Sequence, residues 1–263
     1  MRATDRRSGV NYHWVDDDVF VVDDTEFVVT ADADRYRDEH STADRFIVAK
    51  WPEMVDRLAD WIASEAPQRI VELGIFKGGS AALAAALARP RRLTAIELAA
   101  ERVTALDDFI TTHALEEVVA THYGVDQSDV ATLTGLLDVD HGYDPLDLVL
   151  DDASHLYRET RTSFEVLFAR LRPGGLYVIE DWGWAHFPEP VWQDRGGWFH
   201  DRPALTNLIV EILMVAATGA DLVSRVTVLR HQALIERGPL AVDGPLRIED
   251  HYCNRGLPYR PLL

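Results

Sequence analysis

Hydrophobic positions in this chain recur with two different periods, and the changes of period mark out its elements. From Asp18 to Thr30 the run DVFVVDDTEFVVT sets two β-rich segments either side of Asp23-Asp24, which predicts a hairpin outside the main sheet. Charged, irregular sequence follows. Between Pro52 and Ser64, Met54, Val55, Leu58, Trp61 and Ile62 return at helical spacing, with Pro52 suited to a first turn. An alternation then begins. RIVELG (69–74) predicts a strand and Ser80–Ala88 its helix; RLTAIEL (92–98) predicts the next strand, with a helix over Glu101–Ala114. Val118–Gly124, DLVLDD (147–152) and GLYVIED (175–181) read as further strands, with helices over Asp129–Leu137 and Tyr157–Leu171. After a long Trp-rich insertion come an apolar helix over Pro203–Ala217 and two β-rich runs, SRVTVLR and QALIERG, that predict an antiparallel hairpin. The expected fold is α/β: a Rossmann-like doubly wound sheet, mostly parallel, with an antiparallel C-terminal hairpin. Residues 1–50 read as an N-terminal extension carrying a β-hairpin, and 51–263 as one domain.

Composition narrows the function classes. The chain has 263 residues, 47% of them apolar, which is enough for a sizeable core. With 44 acidic against 26 basic side chains the formal charge is −18, which repels a phosphate backbone and an anionic membrane surface, so no nucleic acid and no membrane partner is expected. Cys253 is the single cysteine, which excludes an intrachain disulfide and fits a reducing cytoplasm. The start MRATDRRSGV has charges with no apolar run after them, unlike a signal peptide, and Leu208–Ala217 is interrupted by Glu211 and too short to span a bilayer. The expected setting is cytoplasmic.

Candidate chemistry gathers at strand ends, where open parallel sheets place their ligands. After the first strand stands ELGIFKGGS, with Glu72, Gly74, Lys77, Gly78, Gly79 and Ser80. Glycines between a strand and a helix let backbone N–H groups approach a ligand. A dinucleotide fingerprint would have glycine where Phe76 stands, so a smaller, less anionic nucleoside cofactor is favoured. Glu97 ends the second strand and can accept hydrogen bonds from both ribose hydroxyls, while Asp126, Gln127 and Ser128 follow the third and suit an adenine. The fourth and fifth strands end in DDASH and VIEDW, bringing Asp151, Asp152, His155, Glu180 and Asp181 towards one crevice. Carboxylates with an imidazole suit a hard divalent cation and a proton acceptor. The same acids can instead contact a cofactor amine or cap a helix, and His155 can serve as a helix-start residue.

These segments, Glu72–Ser80, Glu97, Asp151–His155 and Pro173–Asp181, resemble those of the class I S-adenosylmethionine-dependent methyltransferases, and most of all the macrocin and mycinamicin type of sugar O-methyltransferase. The resemblance covers about residues 45–240, and DDASH and VIEDW are its specific part. It implies that Glu72, Gly74, Lys77, Gly78 and Ser80 serve the methionine end of S-adenosyl-L-methionine, Glu97 its ribose, and Asp126, Gln127 and Ser128 its adenine. It further implies Mg2+ on Asp152, Glu180 and Asp181, with His155 as general base, and Asp151 supporting the cofactor or the turn. Residues 51–263 then become the methyltransferase domain.

Trp182, Trp184, Trp192 and Trp198 lie close together with His186, Phe187, Phe199 and His200, among Pro188, Pro190 and Gly196-Gly197. A long aromatic loop beside a catalytic strand end suits a lid that walls a small-molecule acceptor, with Trp182, Trp184, His186 and Trp198 as its candidate contacts; a structural cap of buried Trp is the other reading. The expected activity is methyl transfer to a hydroxyl of a sugar-like or natural-product acceptor. N-methylation, hydroxylation, a non-catalytic cofactor-binding module and, more weakly, an NAD-dependent dehydrogenase stay open on the sequence. The N-terminal hairpin offers an element for pairing subunits into a homo-oligomer.

Overall fold

The computed structural model describes residues 10–196, 199–219 and 221–261. It divides into two compact units, Met1–Gly124 and Val125–Leu263. In the first, β1 (Tyr12–Trp14), β2 (Val19–Val22), β3 (Thr25–Val29) and β4 (Arg45–Val48) form a four-stranded sheet in that order. The predicted hairpin is β2–β3, turning through Asp23 at φ 52°. The charged stretch after it, expected to be irregular, holds a short helix, α1 (Ala33–Asp38), and then β4, which pairs parallel to β3. Helix α1 buries no residue, so no hydrophobic period announces it. It is held instead by its Asp32 cap and by ion pairs from Arg35 to Asp18 and Glu39.

The rest of the first unit follows the predicted alternation: α2 (Pro52–Glu65), β5 (Arg69–Leu73), α3 (Gly79–Ala88), β6 (Arg92–Glu97), α4 (Thr104–Thr112) and β7 (Val119–Tyr123). Strands β5, β6 and β7 run parallel in that order. Helix α4 starts at Thr104 rather than Glu101, because Glu101 and Arg102 bring no apolar anchor and Val103 takes the N-cap position. Helix α3, GSAALAAALA, is apolar all round, the mark of a helix enclosed by neighbours, and it packs against β2, β4, β6, α2 and α4. Its alanines and glycines permit that close approach. A Cβ on Gly79 would overlap the Ile47 carbonyl of β4, and one on Gly78 would lie 3.0 Å from the Leu106 Cβ of α4.

The second unit contains α5 (Val130–Asp140), β8 (Leu146–Asp151), α6 (Tyr157–Arg170), β9 (Leu171–Glu180), α7 (Pro190–Gln193), α8 (Thr206–Thr218), β10 (Val223–Val228) and β11 (Gln232–Arg237). Its strands lie in the order β10-β11-β9-β8, with β8 and β9 parallel and β11 antiparallel to both neighbours. Strand β9 begins before the predicted Gly175: Pro173-Gly174-Gly175 is taken up as an irregularity inside the strand, where the register against β8 shifts between Leu146 and Leu148. The single charge in the apolar run of α8 also has an account. Glu211 is buried, accepts from the Tyr157 and Tyr252 hydroxyls at 2.6 and 3.0 Å, and lies 3.6 Å from Arg161 Nε.

In strand direction, helix placement and terminal hairpin the fold is the expected α/β, Rossmann-like doubly wound architecture, mostly parallel with an antiparallel C-terminal hairpin. Among the described residues no helix is long and apolar enough to cross a membrane.

Candidate active site

In the first unit the loop leaving β5 is shaped by carboxylates. Gly74 has φ 94°, a conformation only glycine adopts without strain, and its N–H still donates to Ile96 of β6. Glu97, at the end of β6, accepts from the N–H groups of Ile75 and Phe76 at 2.9 and 3.0 Å and from Ala99 N–H at 3.0 Å. Its Oε2 thus holds the loop after β5 and its Oε1 the turn after β6. Glu72 is fully buried and accepts from the Ser80 hydroxyl. Lys77 reaches away from the β5 end, donating to the main-chain carbonyls of Arg37 and Glu39. Gly78 ends the loop at φ 81°, and Phe76 is exposed.

In the second unit the ends of β8 and β9 bring Asp152, His155 and Asp181 together: one ligand atom from each lies within 4.8 Å of the others. The His155 Nε2 is 3.8 Å from Asp152 Oδ1, and its Nδ1 is 3.4 Å from the Glu180 carbonyl oxygen. His155 and Asp181 both sit in the left-handed region, at φ 54° and 51°. For a non-glycine residue this conformation costs about 1–3 kcal/mol and is kept only where surrounding contacts over-determine it. Glu180 does not join the group. Its carboxylate is buried and accepts from Gln232 Nε2 of β11 at 3.3 Å.

Beneath these residues lies a buried polar network. Asp151 accepts from the Tyr177 hydroxyl at 2.6 Å, the Ser163 hydroxyl at 3.1 Å and the Gln127 amide at 3.3 Å. Burial nevertheless pushes its carboxyl up to about 6, and burial beside that carboxylate raises the Tyr177 phenol well above its ordinary value. Gln127, read as an adenine contact, spends its side chain on this network. Of its neighbours, Asp126 accepts from both the N–H and the hydroxyl of Ser128, at 2.8 and 2.7 Å, in a local turn.

The aromatic segment forms a connected cluster. The Trp184 ring lies 4.0 Å from the His155 ring and 4.7 Å from that of Trp192, and Phe199 touches both tryptophans. Trp182 is anchored through Nε1 to the Leu229 carbonyl at 2.8 Å, while His186 is exposed and 2.5 Å from the Thr206 hydroxyl. Trp198, the remaining candidate contact, lies outside the described residues. One residue had no signal in the sequence. His231, in the turn between β10 and β11, accepts from Asp181 N–H through its carbonyl at 2.9 Å and places Nδ1 4.0 Å from the Asp181 carboxylate. No local motif marks it, because the antiparallel pairing of β11 with β9 brings it there.

Residues 71–182, which run from β5 to the turn after β9, match the family described as a methyltransferase domain. By architecture and by this match the chain has the class I methyltransferase fold, and its relatives are of the macrocin and mycinamicin type. It is 49% identical over 76 residues to demethylmacrocin O-methyltransferase of Streptomyces fradiae, covering 29% of this chain and 18% of that protein. It is 41% identical over 87 residues to mycinamicin VI 2''-O-methyltransferase of Micromonospora griseorubida, covering 33% of this chain and 21% of that one. Among solved structures, the methyltransferase MycE of the mycinamycin pathway, in complex with Mg, SAH and mycinamycin VI, aligns with a TM-score of 0.50 at 23% identity, over 73% of this chain and 50% of that chain. The chain therefore matches about a fifth of the length of these curated relatives.

Proposed function

We propose that this chain transfers a methyl group from S-adenosylmethionine to a hydroxyl of a small sugar-like or natural-product acceptor, with Mg2+ assistance and with His155 as general base. The observation that carries the reading is the grouping of Asp152, His155 and Asp181 within 4.8 Å at the ends of β8 and β9, in a chain whose residues 71–182 match a methyltransferase domain. Two carboxylates are the hard oxygen donors that Mg2+ prefers, so the donor set fits the ion. The glycine turn at Gly74, whose shape Glu97 sets by accepting from Ile75 N–H, suits the approach of a ribose-bearing cofactor. When bound, S-adenosylmethionine supplies an electrophilic sulfonium methyl and Mg2+ a positive charge that orients and acidifies a hydroxyl.

The chain's own residues do the rest. Asp152 and Asp181 would hold the cation, while Glu180, the third carboxylate that the resemblance implies, accepts from Gln232 of β11 instead. With Nδ1–H donating to the Glu180 carbonyl, His155 keeps a lone pair on Nε2 to accept the acceptor's proton. Trp184 fixes the imidazole from one side, and with Trp192 and Phe199 makes an apolar wall that suits a lid. Residues 51–263 serve as the methyltransferase domain and 1–50 as its extension, in a cytoplasmic setting.

Methylated product is the assay. Exhaustive chelation should abolish turnover and leave S-adenosylmethionine binding intact, with activity restored by Mg2+; turnover that survives chelation removes the metal from the reading. His155→Ala should lower turnover by roughly 10²-fold or more, and a near-normal rate would remove His155 as base. A second reading, His155 as metal ligand, is favoured by its membership of the group that omits the Glu180 carboxylate. Calorimetry separates the two: a base leaves the Mg2+ affinity of His155→Ala unchanged, and a ligand weakens it.

A further inference from the structure

Gln127 is 5% exposed and makes three hydrogen bonds with one planar amide. Its Nε2 donates to Asp151 Oδ1 at 3.3 Å and to Ser163 Oγ at 2.9 Å, and its Oε1 accepts from Ser154 N–H at 2.9 Å. The orientation of the amide follows from its partners. A backbone N–H can only donate, so oxygen faces Ser154, and the carboxylate opposite requires a donor. No other side chain of this size meets both demands. Glutamate would set a second negative charge against Asp151, and methionine would leave Ser154 N–H and Asp151 each one partner short.

Ser154 is the hinge of the DDASH segment. It stands between Asp152 and His155, and its hydroxyl accepts from Leu156 N–H at 3.3 Å, which turns the chain into α6. The next residue, His155, is held at φ 54°. An over-determined anchor is what keeps such a conformation populated. On its far side the anchor is rigid: Asp151 also accepts from the Tyr177 hydroxyl of β9, and the hydroxyl of Ser163, a fully buried residue of α6, lies 3.1 Å from Asp151 Oδ2. The amide therefore ties the strand ends and the helix to the one backbone N–H from which Asp152 and His155 diverge.

We propose that Gln127 is a positioning residue for the reacting centre, fixing Asp152 and His155 through the Ser154 amide. It acts through the loop and touches no reacting atom. This rests on the reading of Asp152 and His155 given above, so the test joins one measurement that depends on turnover to one that does not. In the full chain, Gln127→Met should speed hydrogen exchange at the Ser154 amide by roughly 10-fold or more, since its acceptor is gone. It should lower kcat by roughly 10-fold or more, because small displacements of reacting groups cost rate steeply, while the S-adenosylmethionine Kd stays within about 2-fold. A Gln127 that served the adenine would give the reverse, a weakened Kd with kcat preserved at saturation, and that result overturns the proposal. Unchanged Ser154 exchange overturns it, as does faster exchange at unchanged kcat. Should Gln127→Met fail to fold, Ser163→Ala loosens the amide without touching the loop; a smaller fall in kcat at unchanged Kd supports the proposal, and an unaltered kcat overturns it. A wild-type chain that transfers no methyl group to any acceptor would count against the functional reading, while the exchange measurement would still report whether Gln127 holds the loop.

Discussion

At the ends of β5 and β6 the chain uses its carboxylates on itself, whereas at the ends of β8 and β9 it holds them against one another. Glu97 accepts from three backbone N–H groups and Glu72 from the Ser80 hydroxyl, so the first region is a loop built around internal acceptors. In the second, Asp152 and Asp181 offer oxygens within 4.8 Å of each other and of the His155 imidazole, with two residues in the left-handed region. Like charges this close repel, and the strained backbone adds to the cost. A first region of that kind gives shape to a binding turn; a second of that kind gains most when a cation or a proton enters it.

Four measurements break or sharpen this contrast. The largest effect should come from Asp181→Asn: kcat falls by roughly 10²-fold or more while cofactor affinity measured by calorimetry hardly moves, because the proposed cation would sit in the second region alone. Equal damage to both quantities would erase the distinction. Next, Gly79→Ala should lower unfolding stability in urea by about 1–3 kcal/mol, since its Cβ overlaps the Ile47 carbonyl. An unchanged midpoint would mean that α3 can move away from β4 without cost. Glu97→Ala should weaken S-adenosylmethionine binding by roughly 10-fold, as loss of a charged acceptor frees the Ile75 and Phe76 amides, with kcat at saturation close to normal. The smallest effect lies away from both regions. Burial raises the Glu165 carboxyl, with Glu249 and Glu211 nearby adding to it. A carboxyl raised in the folded state stabilises most below its unfolded value and loses that contribution as pH climbs through the folded one. Relative to Glu165→Gln, wild-type stability should therefore fall as pH rises above the ordinary carboxylate range, by less than about 1 kcal/mol because Glu165 and its partner Arg161, 3.3 Å away, are partly open to water. A flat difference over that rise would contradict the burial of Glu165.

Much of this was legible because it is periodic or local. The spacing of Met54, Val55, Leu58 and Ile62 marks α2, and the apolar runs before Asp151 and Glu180 mark β8 and β9. What escaped has no period. Helix α1 buries nothing, β4 has four residues, and Pro173-Gly174-Gly175, which resembles a strand boundary, lies inside β9. Among site residues, DDASH and VIEDW marked by residue type and position the strand ends where Asp152, His155 and Asp181 come together. His231 and the anchoring role of Gln127 did not, because each depends on partners far along the chain: Asp181 for one, and Asp151, Ser154 and Ser163 for the other.

The order of strands and helices, the acids at strand ends and the glycine turn after β5 are properties of the sequence by itself, set by side-chain period and backbone freedom within a few residues. Which acids are consumed and which are held together belongs to the tertiary structure. Glu180 and Asp181 are neighbours in the chain, yet Gln232 of β11 takes up the first carboxylate while the second joins Asp152 and His155. The reason is physical: a carboxylate's role depends on the donors and charges within a few ångströms of it, and those arrive from other strands only when the chain has folded.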